Sequence, residues 1–460
     1  MQKIFFTILF SVVLSALSAK GSESEELTTI PVFEDAVFYD GYRLDDNPDK
    51  DLQDGVLRHS CSLYAMKLTE EQLQSIGNKL DMNVFVTACC DNYDRIGNIN
   101  LAFVPKGAES YSTDEVDRIE IGRFITPFMD KNKDPKTVPY SYNMDYLSLI
   151  LRDEELRNEY DIWLELEIFG IPYAANVQIQ GCEDRSDVFA GSLNFVTDKP
   201  SEKSKGNVLV PIVIKKPEYI GNNLNNYNEN ATDTIGKTTK TYKFEVPQDV
   251  NDAQIVLITS NHGANTNGEE YNRRWHYVYY DDELVMSYIP GRDTCEPFRE
   301  YNTQSNGIYG YAQKSNKIWQ SFSNWCPGDV IDNRIIQLGA VDKGEHKIRI
   351  SVPDAKFAGE QGDIPVSMYF HGVKEGYLPA GLDFPVIEQS DLKIKVENNF
   401  VKFSCSLEIY NVEVYSLQGE KIFSQDDDTP IPTSKLRKEV LLFNVELENR
   451  VVETHKLYVR

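Results

Sequence analysis

Strict alternation of apolar and polar residues in two stretches limits the folds open to this chain. In 162–168, Ile162, Leu164, Leu166 and Ile168 alternate with Trp163, Glu165 and Glu167. In 347–352, Ile348, Ile350 and Val352 alternate with Lys347 and Arg349. A period of two sends successive side chains to opposite faces, which suits a strand and not a helix. Segments 83–88, 99–104, 174–179, 208–214, 254–259 and 276–280 also read as strands, being rich in Val, Ile, Tyr or Phe and broken by Gly, Asn or Asp. Helical signals are few. Thr69 followed by Glu70, Glu71 and Gln72 has capping-box spacing before a helix to about Leu80, and a second helix is expected near 144–156. Strands in this proportion predict an all-β protein of sandwich domains rather than a parallel α/β fold.

The N-terminus predicts export. Lys3 precedes an apolar run from Ile4 to Leu17, and small residues follow at Ala16, Ser18 and Ala19. This pattern reads as a signal peptide over 1–19, cleaved near Ser18 or Ala19, for a secreted or cell-surface protein. About 440 residues then remain, enough for two or three domains. Asp and Glu number 72 against 47 Lys and Arg, a net charge of −25. Such a surface repels nucleic acid phosphates and anionic lipid heads but not neutral sugars. No nucleic acid partner and no membrane insertion are expected, and the chain is read as a monomer. Seven cysteines make at least one unpaired within the chain. No CxxC, HxH or HExxH occurs, so neither a metal nor another cofactor is expected.

Polar stretches divide the chain. Residues 197–206 separate two strand-rich regions, 219–241 reads as a long loop, and 376–391 as a linker. The expected domains are 28–200, 205–380 and a C-terminal module over 388–460.

Three places offer chemistry. Asp94 and Arg95 end the string Cys89-Cys90-Asp91-Asn92-Tyr93-Asp94-Arg95, where an apolar strand gives way to a loop. Glu165 sits on the polar side of its strand. Glu269 and Glu270 lie in Gly268-Glu269-Glu270-Tyr271-Asn272-Arg273-Arg274, after Ser260-Asn261-His262-Gly263. Each also has an ordinary structural explanation: a turn residue, a solvated face, a surface ion network. Spacing alone does not bring the three together.

The string Glu120-Ile121-Gly122-Arg123-Phe124-Ile125-Thr126-Pro127-Phe128, following Cys90-Asp91-Asn92-Tyr93-Asp94-Arg95, resembles the first domain of the peptide-N-glycosidase F family. Tyr160–Glu165, Asn207–Ile212, the turn Asn261-His262-Gly263 and Asn324-Trp325-Cys326-Pro327-Gly328 continue the likeness, over about residues 28–380. The resemblance implies two adjacent jelly-roll β-sandwiches, with a small C-terminal β-sandwich after them, and a cleft between the first two. It implies an amidase that cleaves the asparagine–GlcNAc bond of N-glycosylated proteins or glycopeptides, leaving aspartate. Asp94 would then place the attacking water, Glu270 would bind and polarise the amide or sugar end, and Glu165 would orient the core sugars. Arg95, Trp325 and His262 would contact substrate, with Trp325 stacked on a sugar. The alternative is a non-catalytic glycan-binding relative of the same fold. A copper monooxygenase, also built of paired jelly rolls, is disfavoured by the scattered histidines.

The sequence departs from the family at three points. Cys89 and Cys90 are adjacent, so Cys90 must pair with Cys61 or Cys182, or stay free. The short disulfide expected beside Glu270 is missing, which predicts a looser loop there. Phe322 replaces a site arginine, for which Lys314 or Lys317 could substitute. Cys295 and Cys326 are expected to be bonded. In the C-terminal module, Asn411–Ile422 and Lys456–Arg460 resemble the sorting domains of type IX secretion substrates, which implies a Bacteroidetes source.

Overall fold

The computed structural model describes residues 27–43, 52–214, 223–226, 238–263, 269–304, 307–355, 363–374, 392–405, 407–416, 421–447 and 452–459. The expected signal peptide and the 376–391 linker lie outside the described residues. The protein consists of two β-sandwiches followed by a smaller third, each with its own apolar core.

In the first sandwich, a sheet of strands Thr28–Tyr39, Asp187–Thr197, Leu80–Ala88 and Thr137–Asn143 packs on a six-stranded sheet. The six run in the order Val330–Ile331, Asp117–Ile125, Ile96–Pro105, Tyr160–Ile168, Leu63–Lys67 and Val56–Arg58. The outermost strand, Val330–Ile331, comes from the chain of the second sandwich and pairs with Phe124 and Arg123. Ile162, Leu164, Leu166 and Ile168 enter the core, as their alternation predicts. The opposite face is not solvated: Trp163, Glu165 and Glu167 are also buried.

The second sandwich joins a sheet of Asn207–Val213, Asp363–Lys374, Val250–Thr259 and Arg334–Val341 to one of Thr238–Val246, Gly344–Val352, His276–Tyr280 and Glu283–Tyr288. Within the expected 219–241 loop, Asn223–Asn226 is a strand on Asp363–Lys374 and a further strand begins at Thr238; the remainder lies outside the described residues.

The two sandwiches are locked together. Val256 and Tyr369 of the second pack in the core of the first. Arg123 donates from Nε and Nη2 to Glu120 at 2.8 Å each, and from Nη1 to Ser260 Oγ and the Pro365 carbonyl at 2.9 Å each. The Ser367 hydroxyl donates to the same Glu120. Both charges are essentially inaccessible, and such a pair is tolerable only when its hydrogen-bonding capacity is met this fully. The strand part of the string 120–128, to Ile125, thus serves the core through Ile121 and Phe124 and the domain latch through Glu120 and Arg123.

Local structure departs from the sequence reading in three places. Residues 174–179 are not a strand: Tyr173–Gln178 is a helix, started by Pro172 and carried by Ala174 and Ala175. The capping box at Thr69 forms, but the helix is only Glu70–Gln74. It is capped at Ser75; beyond it Gly77 packs against Asp198, where a Cβ would meet Oδ1 at 1.9 Å, and the chain turns into Leu80–Ala88. The helix expected near 144–156 divides into Asp145–Arg152 and Glu154–Glu159. Asp153 causes the break: it accepts from the Leu156 amide at 2.9 Å as N-cap and from Asn207 Nδ2 at 2.5 Å.

Candidate active site

Asp91 builds the turn that presents Asp94. One of its carboxylate oxygens accepts from the Tyr93 amide at 2.9 Å. The other accepts from the Ile171 amide at 2.7 Å and from Arg95 Nε at 2.6 Å. Asp91 is fully buried, so its charge is spent on holding this loop. Thr126 closes the other side, its hydroxyl accepting from the Arg95 amide at 2.8 Å while its own amide donates to the Arg95 carbonyl at 2.8 Å. Cys90 is bonded to Cys182, which settles the partner left open by the sequence, and Cys89 is free.

Glu270 approaches from the second sandwich. Its carboxylate accepts from the Gly263 amide at 3.1 Å and from the Tyr271 hydroxyl. The loop is tightly held despite lacking the expected disulfide. Asn324 Nδ2 donates to the carbonyls of Glu269, Glu270 and Asn272 at 2.8, 2.6 and 3.2 Å. Arg274 pairs with Glu269 at 2.9 Å, and Arg273 Nε donates to the Ser323 carbonyl at 3.0 Å. Glu269 and Glu270 are buried rather than part of a surface network.

Asp94 and Glu270 lie within each other's field. Burial, reinforced by Glu270 and only partly offset by Arg95, pushes the Asp94 carboxyl up to about 7. Burial also raises Glu270, against the hydrogen bonds from Tyr271 and Gly263. The Tyr271 phenol is raised by burial and by both carboxylates. Two carboxyl groups from different domains, with the proton of at least one poised near neutrality, can hold a water and exchange a proton with it.

Glu165 does not join this pair. It lies opposite Asn100, six residues along the strand from Asp94, which is roughly 20 Å at strand spacing. It accepts from Arg118 Nε at 2.9 Å, Asn100 Nδ2 at 2.9 Å and the Tyr111 hydroxyl at 2.8 Å, and is fully buried. Glu167, opposite Asn98, is the acid of that strand nearer the Asp94 end. The sequence reading names it only as a face mate of Glu165; strand register is the signal that separates the two.

The expected substrate contacts are differently engaged. Arg95 is committed to Asp91 and lies 5.5 Å from the Tyr93 ring centroid. Trp325 is buried with Ile125, Ile258 and Ile331 and donates to the Asn261 carbonyl at 2.9 Å, so it supports the site from beneath. The exposed aromatic next to Asp94 is Tyr93. His262 lies 5.8 Å from the Trp325 ring and bonds Ser260 Oγ at 2.7 Å through Nε2. That serine also receives Arg123, so the domain latch runs directly to the site turn. Phe322 packs between Trp319 and Tyr271, at 5.5 and 6.2 Å. Lys314 is turned away, donating to the Ile308 and Tyr309 carbonyls, and Lys317 is exposed on the helix Asn316–Gln320. Cys295 and Cys326 are bonded, as expected. Sequence reasoning gave no role to Asp91, Thr126, Tyr271 or Asn324. All four stand inside strings singled out in the sequence, but the contacts of Thr126 with Arg95 and of Asn324 with the Glu269–Asn272 carbonyls exist only in the tertiary structure.

Among the described residues no group of three or more His, Cys, Asp or Glu could hold a metal ion, and no helix is long and apolar enough to cross a membrane.

Fold and site together define a two-sandwich protein in which a carboxylate of the second sandwich, Glu270, acts electrostatically on one of the first, Asp94. The chain belongs to the peptide-N-glycosidase F family: the model of that family's N-terminal domain matches residues 29–183, and that of its C-terminal domain matches 226–371. Among solved structures, PNGF-II is similar with a TM-score of 0.52 and 19% identity, over 75% of this chain and 65% of that one. The chain thus spans about two thirds of PNGF-II. A peptide-N(4)-(N-acetyl-β-D-glucosaminyl)asparagine amidase is similar with a TM-score of 0.50 and 14% identity, over 77% of this chain and 97% of that one. PNGase F of Flavobacterium meningosepticum, described as a glycosylasparaginase, gives 0.50 and 14%, over 76% and 96%. At these identities the likeness is one of fold. No curated protein sequence matches the chain.

Proposed function

We propose that the protein is an amidase that hydrolyses the asparagine–GlcNAc bond of N-glycosylated proteins or glycopeptides, releasing the glycan and leaving aspartate. The observation that carries this reading is the pairing of Asp94 with Glu270 across the two sandwiches, with Asp94 raised to about 7. An amide carbon is a weak electrophile and its nitrogen leaves only when protonated, so the reaction needs a placed water and a proton donor. Asp94, ionised, holds the water against the amide carbon. Glu270, hydrogen-bonded by Tyr271 and the Gly263 amide, binds and polarises the amide or sugar end, and the proton that Asp94 takes from the attacking water passes on to the departing nitrogen. Glu165, caged by Arg118, acts on the shape of the sheet rather than on the reacting atoms.

The test is mass spectrometry of a glycopeptide incubated with the protein. Release of the intact glycan with asparagine converted to aspartate supports the reading. Retention of the glycan by a protein that still binds it would identify a lectin-like relative and sink the amidase assignment. Export to the cell surface, proposed from the N-terminal pattern and the 411–422 string, is tested by fractionating the producing cells; protein confined to the cytoplasm would overturn it.

A further inference from the structure

The C-terminal sandwich is docked on the second sandwich, and its contact is continuous in sequence with the Glu270 loop. Tyr277 and Ser287 are cross-strand partners on the sheet of the second sandwich. Both are buried, yet they face away from the core that holds their neighbour Val278. What covers them is the C-terminal sheet. Tyr415 and Leu442 are partners there, as are Glu413 and Asn444. Leu441 and Phe443 fill that module's own core, whereas Tyr415, Leu442 and Asn444 are buried on the opposite face. Ser287 Oγ donates to Asn444 Oδ1 at 3.5 Å. Trp275 lies across the join: its ring meets Tyr415 edge-on at 4.8 Å, stacks toward Tyr277 at 6.2 Å, and its indole N–H donates to the Tyr415 hydroxyl.

Trp275 directly follows Arg273 and Arg274, the two residues that fasten the Glu269–Glu270 turn to Ser323 and to Glu269 itself. Asn324 holds one end of this seven-residue segment and Trp275 the other. We propose that the C-terminal sandwich is a brace for the Glu270 loop, with Trp275 and Tyr415 as positioning residues. The catalytic consequence rests on the amidase reading above; the mechanical link does not. A loop that has lost one clamp samples more conformations, and the fraction of molecules with Glu270 in place falls accordingly.

The experiment uses the full-length chain with Tyr415→Ala, Tyr415→Phe and Ser287→Arg. Ser287→Arg dislodges the module from the other side of the join without altering the module. Amide hydrogen exchange is followed by mass spectrometry together with kcat and KM on a glycopeptide. Tyr415→Ala and Ser287→Arg are expected to speed exchange in 269–274, leaving the core strand Ile96–Pro105 unchanged. Both should lower kcat roughly three- to tenfold at unchanged KM, the scale of one aromatic contact. Tyr415→Phe keeps the ring and should stay within about twofold of the parent protein. Unchanged exchange in 269–274 for both disruptive variants would overturn the brace. A parent protein that exchanges as expected but releases no glycan would sink the amidase reading and leave the brace standing.

Discussion

The carboxylate of Asp94 lies in the field of Glu270, although one belongs to the first sandwich and the other to the second. Burial is the larger cause of the rise at Asp94, with the Glu270 charge adding to it, and burial is what raises Glu270. The Asp94 turn is set by Asp91 and Thr126, and the Glu270 turn by Gly263 and Asn324. The relation between the two turns depends on the Glu120–Arg123 latch, which reaches Ser260 and through it His262.

Glycan release should rise with pH along a limb centred near 7, because Asp94 must be ionised to hold the water and its carboxyl is raised to about 7. Glu270→Gln removes a charge that raises Asp94. The limb should therefore move to lower pH as the rate falls, which a kcat/KM profile of residual activity would show. A limb that stays in place would separate Glu270 from Asp94.

Asp94→Asn should abolish release while stabilising the fold at neutral pH. The folded carboxyl titrates near 7 against a reference of 3.8. A raised acid binds its proton better when folded, so its stabilising effect is full at low pH and is lost as pH rises from about 4 to 7. Roughly three units correspond to a ceiling of about 4 kcal/mol. Urea unfolding should show variant and parent alike at pH 4, with the variant more stable by about 1–4 kcal/mol at pH 8.

Glu165→Gln should cost stability more than catalysis. It leaves Arg118 buried beside a neutral amide, a change of a few kcal/mol. With about 20 Å of strand between it and Asp94, kcat/KM should change less than about tenfold. A loss near that of Asp94→Asn, with unfolding unaffected, would return Glu165 to the reacting site.

Peptide mapping without reduction should find Cys90 joined to Cys182 and Cys295 to Cys326. In the folded protein at pH 8, iodoacetamide should leave Cys89 unlabelled. Burial and the neighbouring Asp187 push its thiol up to about 12, so almost no thiolate exists to react. Rapid labelling of Cys89 would show that the 89–91 segment opens.

Period-two alternation in 162–168 and 347–352 identified strands, because side-chain direction in a strand is fixed by local geometry. It could not say which face was covered. Glu165 reads as a solvated or functional acid in the sequence. Only the packed structure encloses it with Arg118, Asn100 and Tyr111, residues brought together by register and loop placement. Segment 174–179 shows the reverse failure: its composition suits a strand, but Pro172 and the adjacent alanines turn it into a helix against the disulfide at Cys182.

The motif residues Asp94 and Glu270 were visible in the sequence as candidates, since their chemistry travels with the side chain. Their partnership was not, because burial and charge proximity are properties of space and not of spacing. The sequence by itself determined the strands, the all-β class and the acids available for chemistry. Tertiary structure decided that Asp94 lies in the field of Glu270 and not of Glu165, and that Cys90 pairs with Cys182. It also set Trp325 beneath the site and a C-terminal sandwich against Trp275. Contacts between distant segments depend on how whole sheets pack, and no local pattern encodes that packing.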